Sequence, residues 1–207
     1  SLKELKSGLK SPSCLFNYNY SDSVMLFSSR EDDFSYYDFN FSGILNYDFS
    51  ENSNNIFGKG ILSSPFFNIE SDYFSFSDNS FMSGNSSVSV IQDGFNKFLA
   101  KGVSVEWSKS NNSLSMIKGD VNFFLPKIQL YLNFDLATLD SSEKLISFSN
   151  LIDGKQTNLL LKNYFEFSVT SFSYDFQSSE SQIFHSKPFY SNKHFIDPVE
   201  QFLVLNN

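Results

Sequence analysis

The sequence predicts an all-β protein, and three observations support that prediction. Aromatic residues make up 18% of the 207 residues, with 26 Phe and 10 Tyr. Apolar and polar side chains alternate with a period of two in many segments, which is typical of strands with one buried face. Clusters of Ser, Asn and Asp separate those segments, and these residues favour turns. At this length we expect a single β domain built from repeated long hairpins.

Composition and charge exclude several other classes of protein. The formal charge is −8 and Arg30 is the single arginine, which disfavours binding to nucleic acid by phosphate neutralisation. The lone Cys14 excludes a disulfide scaffold. The aromatic content is too high for a disordered acidic tail. A helical bundle is disfavoured because Ser, Asn and Phe replace the usual Ala, Leu, Glu and Lys.

Alternation defines the candidate interior of the predicted sheet. The longest alternating segment runs from Lys127 to Ala137, and it predicts a half-buried strand. In each predicted strand, the apolar residues at alternate positions are expected to face the interior. These interior residues are Val103, Val105, Trp107, Leu114, Met116, Val121, Phe123, Ile128, Leu130, Leu132, Phe134, Phe165, Phe167 and Val169. Alternation by itself fits a dry sandwich core, and it leaves open whether these side chains line a ligand groove instead.

Polar turns and glycines give the chain its repeating organisation. Five Ser, Asn and Asp clusters, at residues 50–55, 77–80, 108–112, 140–144 and 177–181, recur at roughly 30-residue intervals, which is typical of internal repeats. Each unit is predicted to be a strand, a turn and a second strand. Gly58, Gly84 and Gly119 occupy similar places in those second strands. They predict a bend or bulge repeated across the sheet.

No catalytic constellation is found in the sequence. His185 and His194 are isolated, and no Cys, Asp or Glu spacing around them fits a metal-ligand set. Neither a nucleophile elbow nor a glycine-rich phosphate loop occurs. Cys14 has no nearby basic partner in sequence and is expected to be inert. We therefore expect a protein that is not an enzyme and that needs no cofactor or metal.

The two ends of the chain are expected to lie outside the β domain. Leu2, Leu5 and Leu9 have helical spacing, which fits an amphipathic lead-in, the stalk of a removed anchor or a frayed polar terminus. We assign residues 1–15 to this lead-in or stalk, residues 16–200 to a single β domain and residues 201–207 to a tail. No stretch approaches the roughly 18 apolar residues of a membrane helix.

The repeated unit resembles the OstA-like family of periplasmic lipopolysaccharide-transport proteins, to which LptA and LptC belong. Its motifs are an alternating strand, a polar turn and then an apolar residue before Gly in a second strand. The segments that carry the resemblance are Ser71-Asp72-Tyr73, Lys118-Gly119-Asp120-Val121 and Leu136-Ala137-Thr138-Leu139-Asp140. The pattern extends over about residues 40–190.

The resemblance implies a twisted antiparallel β-jellyroll that is open along one side. It implies a non-enzymatic role in transporting a lipopolysaccharide- or glycolipid-like amphiphile, whose acyl chains would lie in a groove lined by the interior residues. It further implies edge-to-edge joining to other β-jellyroll proteins of a transport bridge, and an inner-membrane ABC transporter as a partner. The expected location is the periplasm, with or without an inner-membrane anchor in a removed N-terminal segment.

A second class of function fits the same alternation. Ten-residue alternating strands and abundant aromatics also occur in outer-membrane β-barrels and in surface-exposed β-rich adhesins or structural proteins. Solubility without detergent discriminates between the two, because a barrel precipitates where a jellyroll stays in solution.

Overall fold

The computed structural model describes residues 9–11, 14–21, 24–29, 33–48, 55–92, 95–124, 129–149, 157–161, 165–169, 171–184, 189–191, 194–196 and 203–206. Their regular structure is all β-strand, as the alternation predicted. The first eight strands are β1 (Leu9–Lys10), β2 (Cys14–Asn19), β3 (Val24–Ser29), β4 (Phe34–Tyr36), β5 (Phe39–Asp48), β6 (Asn55–Ser63), β7 (Phe67–Phe76) and β8 (Ser80–Gln92). The next are β9 (Phe95–Ser108), β10 (Ser113–Phe124), β11 (Gln129–Asp140), β12 (Leu145–Ser149), β13 (Thr157–Leu161) and β14 (Phe165–Val169). The last are β15 (Ser171–Asp175), β16 (Glu180–Phe184), β17 (Phe189–Ser191), β18 (His194–Ile196) and β19 (Leu203–Asn206).

Seven long strands, β5 to β11, form the centre of one antiparallel sheet. Each of them pairs with the next along the chain, as expected for hairpins joined by short polar turns. The sheet divides at both ends: β5 pairs with β3 and β4, whereas β11 pairs with β12 and β13. Within the described part of the chain, seventeen strands belong to this sheet and β17 pairs with β18 separately.

The outer strands extend each end of the sheet. At one end β2 pairs with β3, and β1 pairs with β4. At the other end β12 is followed by β15, β16 and β19, whereas β13 is followed by β14. The sheet is therefore an open antiparallel structure of the β-jellyroll kind.

A row of bends crosses the central strands. In β8, Ser83 and Ser86 are both buried although they are three positions apart, so the set of alternate positions that faces inward changes between them. Asn85 lies at this change and has a φ of 50°. Gly102 in β9 and Lys118 in β10 have φ values of 68° and 48°. An added residue at a bend lets a strand turn a corner while the same face of the sheet stays inward.

The bends lie where the glycines predicted them. The pairing of β6 with β7 shifts register between Gly58 and Gly60. Gly84 precedes Asn85, and Gly119 follows Lys118. The bends thereby divide β8, β9 and β10 into two halves each.

The bent sheet packs its apolar face against itself. Phe98 of β9 and Phe148 of β12 have ring centroids 6.4 Å apart. Three inter-strand steps separate those strands within the sheet, which amounts to about 14 Å at the usual spacing of about 4.8 Å. The short ring distance therefore requires the sheet to curl into two facing layers.

Two short strands lie in segments that the sequence assigned to the lead-in and the tail. Leu9 does not continue a helical pattern, because it belongs to β1, which pairs with β4, and its side chain is completely buried. Leu2 and Leu5 lie outside the described residues. At the other end, β19 pairs with β16, so residues 203–206 also belong to the sheet.

Candidate ligand-binding site

Half of the interior residues predicted from the sequence are described with their side chains, and all of these are buried. They are Val103, Val105, Trp107, Leu114, Met116, Val121 and Phe134, each at most 6% exposed. Phe123, Leu130, Leu132, Phe165, Phe167 and Val169 lie in strands, but their side chains fall outside the described part, as does Ile128 altogether.

An aromatic cluster closes one region between the layers. Tyr36 has no exposed surface, and its hydroxyl oxygen lies 2.7 Å and 2.8 Å from the carbonyl oxygens of Ser77 and Ser80, which share its single proton as acceptors. Its ring meets Trp107 edge to face at 6.0 Å. Burial, followed by the nearby Tyr37 and Asp78, raises the pKa of Tyr36 well above its usual range. The phenol therefore stays protonated and keeps donating, which fits a structural role.

A cavity of about 850 Å³ lies among turns and strand ends. Its apolar lining comes from Phe39, Phe66, Ile91 and Phe176. Polar side chains from surrounding turns, including Ser141 and Lys144, line the rest. The volume falls within the range of small-molecule sites, and eight of the thirteen described lining residues are polar or charged.

A tight turn between β6 and β7 positions Phe66. The amide of Ser64 donates to the carbonyl of Phe67 at 2.8 Å. The Ser64 hydroxyl oxygen accepts the amides of Phe66 and Phe67, at 3.2 Å and 2.9 Å. Pro65 has the fixed φ that suits the second position of such a turn. The turn holds the Phe66 ring against Phe176, with centroids 5.3 Å apart.

Two aspartate-centred turns build the opposite side of the cavity. Asp140 Oδ1 accepts the amides of Ser142 and Glu143 and the Ser142 hydroxyl, at 2.8, 3.1 and 2.6 Å. The Ser142 hydroxyl and these amides hold the pKa of Asp140 below its usual range. The amide of Phe176 donates to the carbonyl of Lys144 at 3.0 Å, which joins this turn to the β15–β16 turn.

The second of these turns follows Asp175. Burial favours its neutral form, but Asp175 Oδ1 accepts the amides of Gln177 and Ser178 at 2.7 Å and 3.2 Å. These hydrogen bonds outweigh burial, and the pKa of Asp175 is lowered. Both turns are therefore fixed by ionised carboxylates at neutral pH.

Gln92 connects the two sides of the cavity. Its Nε2 donates to the carbonyl of Phe176 at 2.9 Å, across 84 positions of sequence. Within the described part of the chain its Oε1 is buried and accepts no hydrogen bond. The Gln92 amide therefore joins the two sides through Nε2.

The chemistry of the cavity suits binding. Among the described residues that line it, Asp38 and Lys144 are charged, with one of each sign. Among the described residues, no group of three or more His, Cys, Asp or Glu side chains is placed to hold a metal ion. The walls offer apolar contact and hydrogen bonds to a small organic ligand.

The cavity was not predicted from the sequence. None of the seven buried interior residues named above lines it, and its principal side chains, Phe66, Gln92 and Phe176, come from strand ends and turns. Pro65 indicated a strand end near Phe66. Gln92 gave no local signal, because its contact with Phe176 is determined by tertiary folding.

Comparison of the chain with protein-family models, with curated proteins and with solved structures found no match. In the part of the chain that the structure describes, no helix has the length and apolar character needed to cross a membrane.

Proposed function

We propose that this protein binds an amphiphilic lipid and carries it across the cell envelope without catalysing a reaction. The observation that carries the proposal is the cavity, which has aromatic walls and polar turns around it. An acyl chain placed against Phe39, Phe66 and Phe176 would leave water, and each buried CH₂ group contributes about 0.8 kcal/mol. A polar head group would meet the turns.

The buried interior residues lie next to the proposed acyl site and continue its apolar surface. Trp107 contacts Phe39, which itself lines the cavity. The apolar surface of the cavity thus adjoins the core in which the predicted groove residues lie. A chain entering at the cavity would extend towards that core as the layers adjust.

Transport requires contact with other proteins, and β2 supports that part of the proposal. Among the described strands, β2 pairs with β3 on one side, and Leu15 and Phe16 are each 55% exposed. Strands at the edge of a sheet join other sheets by strand addition. We propose that further β-jellyroll proteins of a periplasmic bridge, fed by an inner-membrane ABC transporter, are the partners.

Photo-crosslinking tests lipid binding directly. A photoreactive phenylalanine analogue replaces Phe66 in the cavity or, as a control, Tyr73, which is 51% exposed on the other face of the sheet. The protein is illuminated with a radiolabelled glycolipid that carries acyl chains. We expect a labelled adduct at position 66 and none at position 73. Equal labelling at both positions, or no adduct at position 66, would refute lipid binding in the cavity.

A further inference from the structure

The part of the cavity that faces solvent, which we call its mouth, is mainly polar. Phe39 and Phe176 are 5% and 1% exposed, so their rings offer little area to a group that stays at the mouth. Asp38, Asn112 and Lys144 also line the cavity, and all three residues are exposed. A ligand therefore meets side chains that form hydrogen bonds before it meets the buried rings.

Turns with a fixed backbone supply two of these polar residues. The Asn112 amide donates to the carbonyl of Ser108 at 3.0 Å, and the carbonyl of Lys144 accepts the amide of Phe176 at 3.0 Å. Asn112 and Lys144 have φ values of 48° and 53°, and each directly precedes a strand. Fixed backbones reduce the ordering that ligand binding requires, which favours affinity.

The chemistry of the three polar residues favours hydroxyl groups in the ligand. The Asp38 carboxylate only accepts hydrogen bonds and the Lys144 ammonium only donates them, whereas the Asn112 amide does both. A hydroxyl group also donates and accepts, so a ligand with several hydroxyl groups can pair with all three side chains. The two charges have opposite signs and the whole chain carries −8, so an anionic head group gains no net attraction.

Apolar contact is available at the mouth as well. Ile91 is 45% exposed and Pro65 is also exposed, and both residues line the cavity. A pyranose ring has apolar C–H faces and carries its hydroxyl groups around its edge. Such a ring can therefore bury a face on these residues while its hydroxyl groups bond to the polar ones, which is the combination that small-molecule sites use.

We propose that the mouth of the cavity binds an uncharged pyranose head group. Its hydroxyl groups bond to Asp38, Asn112 and Lys144, and one C–H face packs on Pro65 and Ile91. The inference rests on the proposed lipid binding and adds the class of lipid, which is a neutral glycolipid. The acyl chain of the same molecule takes the apolar walls of the cavity.

Two ligands with the same alkyl chain and different head groups test this specificity. Binding of radiolabelled dodecyl glucoside to the unaltered protein is compared with that of dodecylphosphocholine, below the concentrations at which either aggregates. Phosphocholine is the most demanding competitor, because its two charges also match one positive and one negative lining residue. We expect dodecyl glucoside to bind at least about ten-fold more tightly, which corresponds to one or two additional hydrogen bonds.

A substitution then tests where the sugar binds. Asn112→Gly removes the side-chain amide, and glycine adopts the positive φ of this position without strain. We expect the affinity for dodecyl glucoside to fall about five-fold and that for dodecylphosphocholine to stay the same. Asn85→Gly is the matched control, because Asn85 is exposed, has a φ of 50° and lies outside this cavity, and it should change neither affinity. Thermal melting of both variants checks that they are folded.

Each outcome bears on a separate statement. Equal or tighter binding of dodecylphosphocholine, or an affinity for dodecyl glucoside that Asn112→Gly leaves unchanged, would overturn sugar recognition at the mouth and leave lipid binding in place. Failure to bind dodecyl glucoside while position 66 is still labelled would do the same. Binding of neither ligand, combined with no adduct at position 66, would overturn the proposed function and this inference with it.

Discussion

Phe39 and Trp107 meet edge to face with ring centroids 5.1 Å apart, although their strands, β5 and β9, are not neighbours in the central sheet. Four inter-strand steps separate β5 from β9, which is about 19 Å at a spacing of about 4.8 Å. The contact therefore closes the curled sheet on itself. Because Phe39 also lines the cavity, this pair lies at the boundary between the packed core and the proposed ligand site.

Removing the Phe39 ring should destabilise the fold substantially. Phe39→Ala deletes a 5% exposed side chain that contacts Trp107 and Phe81, and we expect a loss of about 3–5 kcal/mol. Trp107 is the single tryptophan, so its fluorescence reports this region directly. Emission should shift to longer wavelength in the folded variant, and urea unfolding gives the stability.

Tyr73→Ala is the matched control, because Tyr73 is 51% exposed. We expect it to change stability by no more than about 0.5 kcal/mol and to leave the emission wavelength unchanged. A loss below about 1 kcal/mol in Phe39→Ala would show that the two layers do not close on this pair.

The Tyr36 hydroxyl should make stability depend on alkaline pH. Its pKa is raised in the folded protein, first by burial, so the folded state holds the proton more tightly than the unfolded state does. The resulting stabilisation is fully present below the unfolded pKa of about 10 and is lost as pH rises above it. Tyr36→Phe should cost about 1–3 kcal/mol at pH 8, because the carbonyls of Ser77 and Ser80 lose the one donor that they share.

Urea unfolding between pH 8 and pH 11 measures this dependence. The difference in stability between the unaltered protein and Tyr36→Phe should shrink as pH rises above about 10. Other groups titrate equally in both proteins, so the difference isolates Tyr36. A difference that is constant over this range would contradict a raised pKa.

The bend in β9 should tolerate glycine far better than alanine. Gly102 has a φ of 68°, a conformation that costs an L-residue about 1–2 kcal/mol. The nearest atom to an added Cβ is Asn85 Oδ1 at 4.0 Å, so no collision adds to this conformational cost. Gly102→Ala should therefore lower stability by about 1 kcal/mol, and Gly102→Asn by less, because Asn adopts this conformation more readily.

Gly84→Ala supplies the contrast in the neighbouring strand. An added Cβ there meets no atom within 4 Å, and its φ is not positive. We expect the substitution to be neutral or to stabilise the protein by up to about 1 kcal/mol through the unfolded chain. Equal losses at both positions, measured by urea unfolding, would show that φ does not determine the cost.

Alternation and turn chemistry predicted the fold class because both are local properties of the chain. The polar clusters at residues 77–80, 108–112, 140–144 and 177–181 all connect neighbouring strands. The prediction of which alternate positions are buried failed at the bends, because one added residue there exchanges the inward-facing and outward-facing positions. Continued alternation after Phe134 would bury Leu136, yet Ala137 and Leu139 are buried instead, so β11 changes its buried face after Phe134. The spacing of the glycines indicated that bends exist, but it did not indicate which residues face inward after each bend.

The cavity could not be predicted in the same way. Its walls join segments that are distant in sequence, and the Gln92–Phe176 hydrogen bond forms only after the layers curl together. The side chains of turns carry no periodic signal for the direction in which they point. Alternation therefore predicted the core residues, and tertiary geometry was needed to locate the site.

The turn at Asp140 should make one side of the cavity sensitive to acid. The pKa of Asp140 is lowered, chiefly by the Ser142 hydroxyl and by backbone amides, so the folded state prefers the carboxylate. Its contribution to stability is therefore present above the unfolded pKa of about 3.9 and is lost as pH falls through the lower folded value. Because the side chain is partly exposed, Asp140→Ala should cost only about 0.5–1 kcal/mol at pH 7. Asp140→Asn retains the Oδ1 acceptor without the charge, so it should lose less at pH 7 and lack this pH dependence. Urea unfolding of the three proteins between pH 2.5 and pH 7 measures both effects. Parallel pH profiles for the unaltered protein and Asp140→Asn would show that the ionised carboxylate does not hold the turn.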